Sequence, residues 1–304
     1  MSSPTFRCAQ TARDRDDPRL GTAPVAGAFL LIEHPGPWRY DALAGAGWSA
    51  EVVAALTAAL RRSLGRLLLI RRPGRRPITA DRAWAVTRIG AGTIWGRWEH
   101  EGDLLAAAET LSASEQRLSV DPSAPHPPST DPLLLVCAHG LHDTCCAVRG
   151  RPVAAALAHR WPTATWECSH VGGDRFAANV VVLPDGTYYG GLDPDSAVDV
   201  VAGHLDGRLD PIHLRGSVRW PPAAQVAVAE IHSSLGPYAA DEVLAEHWTT
   251  EGPGRWRVDV GLPHGRRVAV VVAGERRPAA HLTCAATRPT SAVAFRVISV
   301  EPIR

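Results

Sequence analysis

Four of the chain's six cysteines fall in one short stretch, interleaved with histidines. One run is Cys137-Ala-His-Gly-Leu-His-Asp-Thr-Cys-Cys146, and the other is Cys168-Ser-His-Val-Gly-Gly-Asp174. Eight residues separate Cys137 from Cys146, and three separate His170 from Asp174. Thiolates are soft ligands suited to zinc or iron–sulfur centres, and imidazole suits both. The Gly172-Gly173 pair would let a loop backbone approach such a centre closely. Each residue also has an ordinary reading. Cys168, at a strand end, fits a buried small hydrophobe. Cys145 and Cys146 are adjacent, so one of them fits a structural role. His139 and His142 fit polar loop positions, and His170 fits a hydrogen-bonded loop histidine. Their joint occurrence on two loops leaving neighbouring strands points to a metal site, with zinc and iron–sulfur both open.

Composition narrows the alternatives. The 304 residues point to two domains, and 45% hydrophobic with 21% charged residues is ordinary globular composition. A net charge of +1 carries no global signature of a nucleic-acid or membrane-surface binder. All 32 basic residues are arginine, which excludes Schiff-base lysines, a P-loop and a kinase-type lysine. No apolar run reaches the ~18 residues of a membrane span. The first apolar stretch, Val25 to Ile32, follows a mixed-charge segment instead of a basic one, unlike a signal peptide. The expected setting is cytoplasmic, where clustered cysteines serve as metal ligands or redox thiols more often than as disulfides.

The elements that must position these residues read as two similar series. Strands are predicted at 27–33, 66–70, 82–88 and 93–98, with helices at 49–64, capped by Ser49, and at 103–110. A Pro-rich linker covers 119–131. The pattern then restarts with strand 133–136, a cysteine loop 137–149, helix 150–160, and strands 165–167, 180–183 and 187–189. Helices follow at 194–206 and 221–235. The repeated β-α-β-β-α order suggests a duplicated fold, and period-two alternation over 255–300 suggests a small antiparallel appendage.

The stretch from Cys137 to about Leu235 resembles the sucrase/ferredoxin-like family. The resemblance rests on Cys145-Cys-Ala-Val-Arg-Gly-Arg-Pro152, Ser169-His-Val-Gly-Gly-Asp-Arg-Phe-Ala-Ala-Asn179 and Leu183-Pro-Asp-Gly-Thr-Tyr-Tyr-Gly190. Upstream, Phe29-Leu-Leu-Ile-Glu-His-Pro-Gly-Pro-Trp38 resembles the N-terminal half of bacterial members. The resemblance implies a thioredoxin-like ferredoxin domain. Fungal members hold a [2Fe–2S] cluster through two cysteines spaced like Cys137 and Cys146 and two histidines in a His-x-Gly-Gly-His motif. Carried over, the ligands are Cys137, Cys146 and His170, with Asp174 where the second histidine would stand. Three explanations of that departure compete: a carboxylate oxygen of Asp174, a third thiolate from Cys145 or Cys168, or loss of the cluster with the fold kept. His142 stands where bacterial relatives usually carry a basic residue.

The resulting expectation is an α/β protein. A second α/β domain (1–118), thioredoxin-like if the fold is duplicated, precedes the linker (119–131) and a thioredoxin-like ferredoxin domain (132–250). A C-terminal β appendage (251–304) completes the chain. The expected function is that of a [2Fe–2S] electron carrier more than a stand-alone enzyme. It would serve an unidentified redox partner protein and bind neither nucleic acid nor membrane. Two rivals use the same residues. One is a structural zinc domain. The other is a thiol oxidoreductase pairing Cys137 with Cys145 or Cys146, weakened by the absence of Cys-x-x-Cys. No Gly-x-Gly-x-x-Gly follows a strand, no nucleophile elbow occurs, and nothing licenses sucrose chemistry.

Overall fold

The computed structural model describes residues 6–74, 81–113, 128–236, 238–239 and 241–303. Most of the predicted 119–131 linker lies outside the described residues; within its last part, Ser129 bridges Thr93. The helices are α1 (Cys8–Asp14), α2 (Ala50–Arg62), α3 (Leu104–Ser112), α4 (Thr144–Arg160), α5 (Pro194–Leu205) and α6 (Pro222–Ser234). The first strands are β1 (Ala28–Glu33), β2 (Gly65–Arg71), β3 (Arg82–Arg88), β4 (Gly92–Trp98) and β5 (Leu133–Cys137). They are followed by β6 (Thr165–Cys168), β7 (Asn179–Leu183), β8 (Thr187–Gly190) and β9 (Leu214–Ser217). Last come β10 (Leu244–Gly252), β11 (Arg255–Gly261), β12 (Arg267–Arg276) and β13 (Val293–Pro302). The chain divides into two compact units, one of residues 26–171 and 180–186, the other of 1–25, 172–179 and 187–304.

The first of these units is built on a mixed sheet in the order β4-β3-β1-β2-β6-β5-β7. β1 pairs parallel with β2 across the α2 crossover, and antiparallel with β3 on its other side. β5 repeats this arrangement, parallel with β6 across α4 and antiparallel with β7. Parallel neighbours need such crossovers, which is why each apolar run is followed by a helix before its partner strand. The two sets meet where β2 pairs antiparallel with β6, Ile70 opposite Cys168. β1 and β5 are buried along almost their whole lengths and therefore read as continuous apolar runs. α2 starts where Ser49 accepts a hydrogen bond from the Val52 N–H, and Val52, Leu56 and Ala59 pack into the core with Leu30, Ile32 and Trp84.

In the other unit β8 pairs antiparallel with β9. A separate four-stranded antiparallel sheet, β10-β11-β12-β13, carries α6 on one face. Ala224, Ala227 and Ile231 meet Val258, Val260, Val270 and Val272 there. The α/β class and the separate C-terminal antiparallel sheet are those the sequence predicts.

Some elements differ from expectation, and α1 and β9 have no counterpart among the predicted ones. β10 precedes the 255–300 alternation, and its residues are mostly exposed, so no apolar rhythm marked it. α4 begins at Thr144 instead of residue 150, because the Asp143 side chain accepts from the Cys145 N–H at 2.8 Å and caps the helix. Gly150 and Pro152 lie inside it. Among the described residues no helix is long and apolar enough to cross a membrane.

Candidate metal centre

The early start of α4 places Cys145 and Cys146 in its first turn, not in a loop. Cys137 ends β5, and His170 lies just beyond β6. One ligand atom each from Cys137, Cys146 and His170 lie within 4.8 Å of one another. Both thiols are buried and His170 is half-buried. All six cysteines are thiols.

The Cys137 sulfur collects hydrogen bonds. The Cys146 thiol has the largest effect, and with the His170 ring and the His139 backbone N–H it holds Cys137 well below the ordinary thiol range against the opposing cost of burial. A metal-binding thiol must lose its proton, so this environment prepares Cys137 for a cation. Two sulfurs and one imidazole suit a thiophilic metal centre. The residues present therefore fit a group of that kind, and they could hold a metal ion.

The surrounding loops are pinned to the sheet. The Ala138 N–H donates to the Cys168 carbonyl at 3.0 Å, and the Ser169 N–H to the Leu69 carbonyl at 2.8 Å. The Ser169 hydroxyl in turn accepts from the Leu69 N–H at 3.0 Å. His139 is not the polar loop residue its sequence context suggests: it is 2% exposed. Its Nδ1 accepts from the His170 N–H at 3.2 Å, so its proton resides on Nε2, which donates to the Trp38 carbonyl at 3.2 Å. Burial lowers its pKa, which keeps this ring neutral and the bridge intact. His142 stacks on the His170 ring with centroids 3.6 Å apart, and Tyr40 stacks on His142 at 4.4 Å. This ring stack had no signal in the sequence, since Tyr40 lies about a hundred residues upstream of His142.

Cys168 is Cys137's register partner on β6, yet it does not belong to the cluster. Burial first, then the negative charges of Cys137 and Glu167, push its thiol well above the ordinary range, as befits a buried apolar side chain. Cys145 is buried and also outside that cluster. Asp174 is buried in the 174–176 turn and belongs to the other compact unit. There Gly173, at φ +76°, makes room for the Arg215 guanidinium, which a Cβ would overlap. Gly173 thus clears space for an arginine, whereas a Cβ on Gly172 would meet nothing within 4 Å.

Arg215, which sequence reasoning passed over, is 1% exposed. It donates to the Gly172 carbonyl, the Asn179 side chain, and both the hydroxyl and carbonyl of Thr22 at 2.7–3.1 Å. Arg175 pairs with the buried Asp17 at 3.9 Å.

No curated protein and no solved structure matches the chain. A family model described as sucrase/ferredoxin-like matches residues 20–216, a span that contains Cys137, Cys146, His170 and the loops that hold them. The chain belongs to the sucrase/ferredoxin-like family.

Proposed function

We propose that this protein is an electron carrier that holds a [2Fe–2S] cluster through Cys137, Cys146 and His170. Asp174, four positions beyond His170, occupies the remaining place in the motif, so a carboxylate would complete the set. The observation that carries the reading is the convergence of two buried thiols and an imidazole within 4.8 Å, with Cys137 biased toward thiolate. When bound, such a cluster supplies one-electron chemistry tuned by ligand identity, hydrogen bonding and burial. Cys137 and Cys146 would supply the anionic sulfur ligands. His139 fixes the backbone that presents His170, and Asp143 fixes the helix that presents Cys146. Its electron partner would be another protein.

A structural zinc ion on the same residues is the second reading. The compactness of the three donors favours it, because a single tetrahedral ion spans that separation with Zn–S of about 2.3 Å and Zn–N of about 2.0 Å. Anaerobic purification with iron, sulfide and zinc analysis decides between them. About two irons and two sulfides per chain, with a visible absorption band lost in Cys137→Ser and Cys146→Ser, are expected. Stoichiometric zinc, or no metal after iron–sulfur reconstitution, rejects the electron-carrier reading.

A further inference from the structure

The cysteines outside the candidate metal centre include a second close pair. Cys8 opens α1, and Cys284 sits in a turn of the 277–292 connection between β12 and β13. Although 276 positions apart, the two sulfurs are 3.6 Å from each other, the Cys284 thiol donating to Cys8. Cys8 is 1% exposed, whereas Cys284 is half-buried and within reach of small solutes.

The backbone around both sulfurs is tied down. The connection is closed at its base by Arg277 N–H to the Ala292 carbonyl at 2.8 Å and by paired hydrogen bonds between Ala280 and Thr290. The Ala286 N–H donates to the Thr283 carbonyl at 3.2 Å and closes the turn that contains Cys284. The N-terminal segment is clasped to this connection from both sides. Arg15 donates to the Pro278 carbonyl at 2.9 Å, and Arg277 donates to the Arg15 carbonyl at 3.0 Å. Phe6 meets the His281 ring edge-to-face at 5.7 Å. Two thiols held together by noncovalent contacts need little further ordering to react with each other. A covalent S–S bond of about 2.05 Å requires the two sulfurs to close roughly 1.5 Å from their 3.6 Å separation.

We propose that Cys8 and Cys284 are a redox-responsive thiol pair, oxidised by a hydroperoxide to a disulfide that staples α1 to the β12–β13 connection and reopened by thiol reductants. The proposal is independent of any metal at Cys137. The accessible Cys284 thiolate attacks the hydroperoxide; its O–O bond breaks, the leaving oxygen takes a proton to give an alcohol or water, and Cys284 becomes a sulfenic acid. The Cys8 sulfur then attacks Cys284, forming the S–S bond, and the sulfenic hydroxyl leaves as water with the thiol proton. Two thiols lose two electrons and two protons, and one hydroperoxide takes up both. Placed across almost the whole chain, the bond would report oxidant exposure as a locked terminal strap.

The test uses the full-length protein, reduced and then freed of reductant. It is exposed to hydrogen peroxide, blocked with N-ethylmaleimide, digested with trypsin and mapped by mass spectrometry. The expected product links the peptide Cys8–Arg13 to the peptide carrying Cys284. Its mass should be that of the two reduced peptides less two hydrogens. It should vanish on dithiothreitol treatment and be absent from Cys284→Ser. Its yield should exceed at least ~10-fold that from chain oxidised in guanidinium, because proximity of the thiols exists only in the fold. Recovery of Cys8 and Cys284 as maleimide adducts after peroxide overturns the proposal. So does conversion of either to sulfinic acid without a link, or linkage of either to a different cysteine.

Discussion

Replacing Gly150 by alanine tests how α4 is seated against the end of β5. A Cβ at this position would overlap the Cys137 carbonyl oxygen, and the next nearest atoms, the Cys137 carbonyl carbon at 3.1 Å and Ala138 Cα at 3.6 Å, are also backbone. Two effects compete. In an open helix interior, glycine to alanine gains about 1 kcal/mol from reduced backbone entropy and better propensity. Forcing a methyl group into a packed position costs about 1–3 kcal/mol, and more when the neighbour cannot yield. The obstacle here is the backbone at the end of a buried strand, so the upper part of that range applies. The net expectation is a loss of about 1–2 kcal/mol, a roughly 5–30-fold rise in the unfolding constant. Ala155→Gly, on the exposed side of α4, is the control: it should lose about 1 kcal/mol from propensity alone. Urea titrations of both variants measure the balance. Cys146 precedes Gly150 by about one helical turn, so a displaced α4 also carries its sulfur away from Cys137 and lowers metal content. A Gly150→Ala protein as stable as the parent, with undiminished metal binding, would refute this packing.

Two other expectations rest on buried polar groups. Arg215→Met leaves the acceptors of Gly172, Asn179 and Thr22 without their charged donor, and the loss should be at least about 3 kcal/mol by urea titration; a loss below about 1 kcal/mol would mean that this network does not hold the 172–179 segment. Burial lowers the pKa of His34, His139 and His232, so the metal-free fold binds their protons less readily than the unfolded chain does. Their contribution is present above the unfolded value of about 6.5 and is lost as pH falls below it, so urea midpoints should drop from pH 7.5 to pH 5. His232→Gln should flatten that slope, and a profile already flat in the parent would refute the assignment.

Much of the frame was legible because burial writes itself into sequence. β1, β2 and β5 are covered on their faces, and their uninterrupted Leu, Ile and Val runs gave their limits to within a residue or two. Ser49 marked the start of α2 by its capping chemistry. Asp143 carried the same signal for α4, which starts at Thr144, six residues before the expected 150. The spacing of Cys137 and Cys146 located the cluster, since a strand end and the following helix start are covalently close. The pairing of β2 with β6 was not legible, because register between distant segments leaves no local periodicity. The same reason hid the Trp38–His139 bridge and the Tyr40–His142–His170 stack: each needs a partner supplied by tertiary folding.

The contrast between Cys137 and Cys168 shows how the fold distinguishes neighbouring thiols of equal burial. The parallel register sets them opposite each other, and burial alone would raise both. At Cys137 three donors, from Cys146, His170 and the His139 backbone, outweigh that penalty. At Cys168 the field of Arg66 opposes burial, while the negative charges at Cys137 and Glu167 act in the same direction as burial. One anion therefore makes a second beside it more costly, and the sheet supports a single thiolate at this position without a cation. The hydrogens that stabilise Cys137 belong to the Cys146 thiol and the His170 ring, the other two residues of the cluster. Metal uptake at the cluster must therefore displace the Cys146 proton and the His170 hydrogen bond, and affinity should rise with pH until the Cys146 thiol is ionised.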